Sequence, residues 1–252
     1  MRVLSIGNSF SQDAQYYLHD LSVQEGREIE CINLLIGGCP LKLHWENAAS
    51  DAKAYTMEVN GKTLPESGLV SIREMLEAKE WDVITLQQAS HDSGQFETYE
   101  PYLTDLADYI RKLVPGARLM IQETWAYEAD SDHPEFQRYQ KNQRVMYAAL
   151  RNAYRRAAES IHAPLIPVGD VIQALRDLPE FDYAHGGVSL CRDGFHLSMS
   201  LGRYAAAATW YMALQKKAAV GKMVPELFSD EERKLIPLVV ETAKHVLFAD
   251  CM

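Results

Sequence analysis

Cysteine is scarce in this chain. Its 252 residues include only Cys31, Cys39, Cys191 and Cys251, and no two form a Cys-x-x-Cys pair. That spacing excludes a thiolate zinc knuckle and a thioredoxin-type redox site. Four cysteines in a chain this long do not make a disulfide framework either. Cys31 and Cys39 are near enough in sequence to pair, but buried free thiols are the simpler expectation. No apolar run approaches the roughly 18 residues that a membrane span requires, so no membrane partner is expected. His-Glu-x-x-His, Gly-x-Gly-x-x-Gly and the P-loop pattern are all missing, which argues against a metal, a dinucleotide cofactor and nucleotide hydrolysis. Basic residues are also in deficit, with 25 Lys and Arg against 35 Asp and Glu and a formal charge of −10. Without a long basic run to offset that balance, nucleic acid is a poor partner. No apolar leader precedes Val3, and the expected location is the cytoplasm.

What the chain does have is ample core-forming material. Apolar residues make up 47% and charged residues 24%, the balance of a folded globular protein. Its length suits one domain spanning residues 1–252. Short apolar runs at Val3–Ile6, Glu28–Ile36, Trp81–Leu86, Arg118–Ile121 and Leu165–Val168 read as strands. Segments with helical spacing lie between them, at 12–24, 41–54, 69–78, 102–113 and 135–161. Further helical segments follow at 171–175, 201–214 and 229–248. Asn60-Gly61 predicts a small hairpin insertion over 55–64. Ser229-Asp230-Glu231-Glu232 has the pattern of a capping box. Alternating strands and helices predict a parallel sheet covered on both faces, a three-layer α/β/α domain.

In such a sheet, ligands bind beyond the C-terminal ends of the strands. Polar groups gather at those ends. Gly7-Asn8-Ser9-Phe10 follows the first strand, Gly37-Gly38-Cys39 the second and Gln87-Gln88-Ala89-Ser90-His91 the third, while Asp193-Gly194-Phe195-His196 comes late in the chain. Ser9 at a strand–helix junction is either a helix cap or a nucleophile awaiting a base. If it is a nucleophile, Ser11 is free to serve as the cap. Asp193 and His196, three residues apart, share one face of a helical turn. There the acid can fix the imidazole tautomer and stabilise the imidazolium, or the pair can simply cap the helix that follows. Gly37 or Gly38 can turn a backbone N–H toward an oxyanion, and Gln87 or Gln88 can add a neutral amide donor.

Taken together, Ile6-Gly7-Asn8-Ser9-Phe10, the Gly37-Gly38 turn and Asp193-Gly194-Phe195-His196 resemble the SGNH, or GDSL-like, hydrolase superfamily. "IGNSF", "GGCPLKLHWEN" and "LQQAS" look most like a bacterial branch of unknown function within it. The resemblance implies a flavodoxin-like parallel sheet of five strands and a serine hydrolase that forms an acyl-enzyme. It puts the nucleophile on Ser9, the base and acid on His196 and Asp193, and an oxyanion donor on Gly38, or else on Gly37. The usual Gly-x-Asn-Asp block is replaced by Gln87-Gln88-Ala89-Ser90, so the resemblance puts the third donor on Gln88, or else on Gln87. The Gly-x-Ser-x-Gly elbow of α/β-hydrolases is absent around Ser9.

The substrate implied is a small acyl ester, with an acetylated sugar favoured. His44, Trp45, His91, Trp125, Tyr127 and His185, together with Gly37 and Gln87, place aromatic and polar groups in the strand-end segments, where they can stack on sugar rings. A carbohydrate-binding protein without catalysis, and a thioesterase or acyltransferase, are the competing readings.

Overall fold

The computed structural model describes residues 1–64, 68–219 and 221–249. Among the described residues seven strands form one sheet: β1 (Arg2–Gly7), β2 (Glu30–Leu35), β3 (Thr56–Val59), β4 (Lys62–Thr63), β5 (Val83–Leu86), β6 (Arg118–Gln122) and β7 (Leu165–Ile166). Their order across the sheet is β4-β3-β2-β1-β5-β6-β7. The pairs β1–β2, β1–β5, β5–β6 and β6–β7 are parallel, while β2–β3 and β3–β4 are antiparallel.

The sheet is therefore seven-stranded and mixed, and the expectation of a five-stranded parallel, flavodoxin-like sheet is corrected. The cause is the Asn60-Gly61 hairpin. Both residues have positive φ, 52° and 74°, the conformation that a tight two-residue turn demands. The first hairpin strand does not stand apart as an insertion but pairs along the outer edge of β2, with Leu34 opposite Met57 and Ile32 opposite Val59. Asn60 reinforces the join, its side-chain oxygen accepting the Cys31 N–H at 2.9 Å. Backbone groups that the edge of a five-stranded sheet would leave open are thereby paired.

Nine helices accompany the strands among the described residues: α1 (Ser9–Gln15), α2 (Leu18–Gln24), α3 (Leu41–Ser50), α4 (Ile72–Ala78), α5 (Tyr102–Leu113), α6 (Gln143–Ser160), α7 (Val168–Arg176), α8 (Leu201–Gln215) and α9 (Asp230–Phe248). α1, α2, α7, α8 and α9 pack as one group and α3, α4 and α5 as another. Successive residues of β1 and all four of β5 are buried, so both faces of the sheet are covered. α8 is buried almost all round, and the run Ala205–Ala208 keeps its backbone close to its neighbours. Ser229 and Glu232 form the expected capping box, and Ser71 and Glu74 form a second one on α4. Cys31, Cys39 and Cys191 are buried free thiols, while Cys251 lies outside the described residues. Among the described residues no helix is long and apolar enough to cross a membrane.

The parallel strands finish nearly level, with Gly7 opposite Leu35 and Leu86 opposite both Ile6 and Ile121. The segments that follow β1, β2, β5 and β6 thus share one rim. Beyond β6, Glu123 is fully buried and takes the Asp170 N–H at 2.9 Å on Oε2, while Oε1 has no partner among the described residues. Burial, aided by the Asp170 carboxylate, pushes its pKa from 4.5 up to about 8, so the acid is neutral inside the fold at neutral pH. The unfolded chain ionises it near the ordinary value. Its contribution is therefore complete below that value and is lost as pH rises through about 8. Glu123→Gln is expected to flatten this dependence. In urea unfolding, its stability relative to the parent should rise between about pH 5 and about pH 8, by at most roughly 1.4 kcal/mol per pH unit. Parallel pH dependences for the two proteins would contradict the assignment.

Candidate active site

The first strand delivers Ser9. Asn8, in extended conformation, caps α1 by accepting the Phe10 N–H on its side-chain oxygen at 3.0 Å. The cap is therefore neither Ser9 nor Ser11. Ser11 Oγ instead donates to the Asn8 carbonyl and lies 2.8 Å from Asn33 Oδ1. A Cβ at Gly7 would sit 2.1 Å from Ser11 Oγ, so only glycine lets α1 start this close to β1. Ser9, freed from capping, is the first residue of α1 and is half-buried.

Asp193 and His196 come from the other end of the chain. They lie on a tight turn closed by an antiparallel bridge between Cys191 and Leu197, not on a turn of helix. The Arg192 N–H bonds to the His196 carbonyl at 2.9 Å. Asp193 organises the turn. One carboxylate oxygen accepts the N–H groups of Phe195 and His196 at 3.2 and 2.7 Å, and the other lies 2.8 Å from His196 Nδ1. Partial burial pushes the Asp193 pKa up, but the hydrogen bonds from the His196 ring and from the two backbone N–H groups outweigh it and hold the acid below its ordinary value. An ionised Asp193 requires the proton on Nδ1, leaving Nε2 as the acceptor. His196 Nε2 lies 2.9 Å from Ser9 Oγ. The serine hydroxyl, the imidazole and the carboxylate thus form one hydrogen-bonded line across 187 residues of sequence. The imidazole is 19% exposed, so the line is open to solvent.

Trp125 supports this arrangement from inside. It is fully buried, stacks on Phe10 with ring centroids 4.3 Å apart, and donates its indole N–H to the Phe195 carbonyl at 2.8 Å. Tyr127 is also fully buried, with its hydroxyl 2.9 Å from Ser90 Oγ. Both rings lie behind the turn, and neither offers an open face. The half-buried rings beside His196 are instead Phe195, 4.2 Å away, then His133 at 4.9 Å from Phe195, then His91 at 6.5 Å from His133. His133 escapes the sequence reading because it sits in an irregular segment with no strand-end signal. Its Nδ1 accepts the Glu135 N–H, and burial with the neighbouring His91 lowers its pKa.

The remaining candidates divide. Gly37 and Gly38 form an exposed turn, Gly38 has φ +63°, and a Cβ on either would meet nothing within 4 Å. Asn8 ties this turn to the start of α1 through a 3.1 Å bond to the Cys39 carbonyl. Gln87 Nε2 is 2.6 Å from Asn8 Oδ1, and its own Oε1 is buried without a partner among the described residues. Gln88 is not brought to Ser9. Its amide hydrogens go to the Thr98 carbonyl and hydroxyl, both at 3.1 Å, and its oxygen takes the N–H groups of Leu41 and Ala89. The preference for Gln88 as a donor is corrected on that ground: a fully committed amide has nothing left for a ligand.

His44 is fully buried between Tyr55 and Cys39, and burial lowers its pKa to about 3. Trp45 sits edge-on to Tyr109 on the α3–α5 side. His185 is exposed and paired with Asp182 at 2.7 Å. None of these three contacts the Ser9–His196 line. Among the described residues, no three His, Cys, Asp or Glu side chains are grouped to hold a metal.

Residues 2–239 match the family model described as a domain of unknown function, DUF4886. The structure of a DUF4886 family protein from Bacteroides uniformis is similar over 99% of this chain and 96% of that one, at 34% identity and a TM-score of 0.88. A provisionally assigned SGNH hydrolase from Slackia heliotrinireducens aligns over 85% of this chain and 98% of its own, at 21% identity and a TM-score of 0.57. Axe2, an acetylxylan esterase from Geobacillus stearothermophilus, aligns over 85% and 92%, at 14% identity and a TM-score of 0.52. The last two similarities are of fold. No protein of curated function matches the chain.

Gly194 carries the turn's steric requirement. Its φ is +81°, its carbonyl accepts the Glu128 N–H at 2.7 Å, and an added Cβ would lie 2.9 Å from the Ser131 Cα. Gly194→Ala should cost about 1–3 kcal/mol of stability and displace His196 from Ser9. Thermal unfolding, with NMR of the His196 ring, checks both effects. An alanine variant with parental stability and an unchanged His196 spectrum would refute the requirement.

Proposed function

The chain belongs to the DUF4886 family, and we propose that it is a serine-dependent hydrolase of small acyl esters, with Ser9 as nucleophile. The observation that carries this reading is the 2.9 Å contact between Ser9 Oγ and His196 Nε2, backed by Asp193 on the opposite ring nitrogen. A hydroxyl becomes a competent nucleophile when a neighbouring base can accept its proton as it attacks.

Ser9 Oγ attacks the ester carbonyl carbon as His196 Nε2 takes the hydroxyl proton. Asp193 holds the imidazole by Nδ1–H and balances the charge of the imidazolium that forms. The carbonyl oxygen becomes an oxyanion. It is met by the Ser9 N–H at the positive end of α1 and by the Gly38 N–H. His196 then gives its proton to the leaving alcohol. Water repeats the sequence against the acyl-enzyme, with His196 again the base, and releases the acid. Gln87 acts through Asn8, holding the residue that caps α1 and ties down the Gly38 turn. With Gln88 committed to Thr98, the oxyanion has two backbone donors. A missing donor of this kind costs about 3 kcal/mol of transition-state stabilisation, so modest turnover is expected.

The alcohol is taken to be a sugar and the acyl group acetyl. Half-buried Phe195, His133 and His91 support that choice by lining one flank of His196 with ring faces and N–H groups. The fold similarity to an acetylxylan esterase agrees with it.

Acetate release from p-nitrophenyl acetate and from acetylated xylose, compared with thiol release from an acyl thioester, tests the reading. Ser9→Ala and His196→Ala should each lose activity by roughly a thousandfold or more while keeping the parental circular dichroism. Asp193→Asn should lose about the same, because an amide cannot hold the required tautomer. Full activity in a folded Ser9→Ala protein would overturn the assignment. Sugar binding without acyl turnover in the parent would convert the reading to a binding module, and preference for the thioester would move the substrate class.

A further inference from the structure

Asp13 lies on α1, four residues and about one helical turn beyond Ser9, and its side chain is wholly buried. A buried carboxylate is tolerated only when its oxygens are fully partnered. Asp13 finds those partners in the segment that carries Asp193 and His196. Arg192 Nη1 lies 2.9 and 3.1 Å from its two oxygens, and the Leu197 N–H donates to Oδ2 at 2.8 Å. Arg203, on α8, approaches Oδ1 with Nε at 2.8 Å and Nη2 at 2.7 Å. The same Arg192 Nη1 also donates to the Leu197 carbonyl.

One acid on the nucleophile's helix therefore holds both ends of the turn, the residue before Asp193 and the residue after His196. The bridge between Cys191 and Leu197 closes the turn on itself but does not locate it relative to Ser9. Trp125 and Phe10 add a packing contact, yet stacked rings can slide where ionic hydrogen bonds set both distance and direction. Asp13 is thus the polar link that fixes where His196 stands relative to α1.

We propose that Asp13 is a positioning residue for the Ser9–His196 pair, tethering the Asp193–His196 turn to α1 through Arg192 and the Leu197 N–H. Its kinetic consequence rests on the ester-hydrolase reading, whereas the tether itself does not. Asp13 touches neither Ser9 Oγ nor the imidazole. Its loss leaves the His196–Asp193 bond in place but lets the turn drift.

The test uses Asp13→Asn and Arg192→Ala in the full chain, with two readouts. The first is amide hydrogen exchange of residues 191–198, which should quicken by about tenfold or more in Asp13→Asn relative to the rest of the chain. The second is p-nitrophenyl acetate turnover per burst-titrated site. Here kcat should fall by roughly 30- to 100-fold, the scale of a 1 Å misplacement, with KM within about twofold. The midpoint of the pH–rate profile should stay at the parental value while its plateau drops, because His196 keeps Asp193.

Arg203 loses its buried counterion in Asp13→Asn. If that variant does not fold, Arg192→Ala decides, since Arg192 is 31% exposed and its removal leaves the Leu197 bond intact. It should lower kcat per site by about tenfold, and Arg192→Lys should recover most of that loss. Parental kcat per site in the folded variants would overturn the proposal and leave Asp13 a merely structural acid, as would unchanged exchange of 191–198. Absence of acetate release by the parent would defeat the ester-hydrolase reading, and the exchange result would still decide the tether.

Discussion

The structure turns on one hydrogen bond between groups 187 residues apart, the hydroxyl of Ser9 and Nε2 of His196. Each partner is useful only in the other's presence. A serine at a helix start is ordinarily a cap, and an Asp-x-x-His turn is ordinarily a local polar motif. Here Asn8 takes over the capping, Asp193 takes up Nδ1, and the two remaining groups face each other. Much of the surrounding structure serves that meeting. Gly7 lets α1 begin against β1, Gly194 lets the late turn press against Ser131, and Trp125 joins the Phe195 carbonyl to the ring of Phe10.

The sheet provides the rigid part of this geometry and the turns provide the polar groups. Parallel strands that finish level bring the ends of β1, β2 and β5 to one rim, so Asn8 can reach the Cys39 carbonyl and Gln87 can reach Asn8. The hairpin on the far side of β2 widens the sheet, with Thr56 at the start of β3 opposite Leu35 at the end of β2. Its place is set by edge pairing rather than by the site.

The strands and most helices were legible in the sequence because apolar periodicity and turn residues mark them locally. Asn60-Gly61 announced the hairpin, and Ser229 with Glu232 announced the start of α9. Whether the hairpin would stand alone or extend the sheet was not legible, since pairing to β2 is a tertiary choice with no local signature. The long helix expected over 135–161 is broken instead, with a short 3-10 turn at Pro134–Tyr139 and α6 starting only after Asn142, because Gln140 and Lys141 adopt positive φ. Among the candidate residues, Ser9, Asp193 and His196 were ambiguous one by one, each open to a capping role, and were singled out by their combination in a known family's pattern. Gln88 misled, since the side-chain donors of adjacent glutamines look alike in sequence and only packing decides which is spent on Thr98. Asp13 gave no signal at all: an acid on a short helix reads as surface until its two arginine partners, from distant segments, are seen around it.

The proposed hydrolysis stands or falls on whether Ser9 is chemically activated. Reaction of the intact protein with a fluorophosphonate, followed by peptide mapping, measures that directly. A single adduct on the peptide that contains Ser9 is expected, formed far more slowly in a folded His196→Ala protein. A folded protein that takes no label, or takes it elsewhere with Ser9 unmodified, would contradict it.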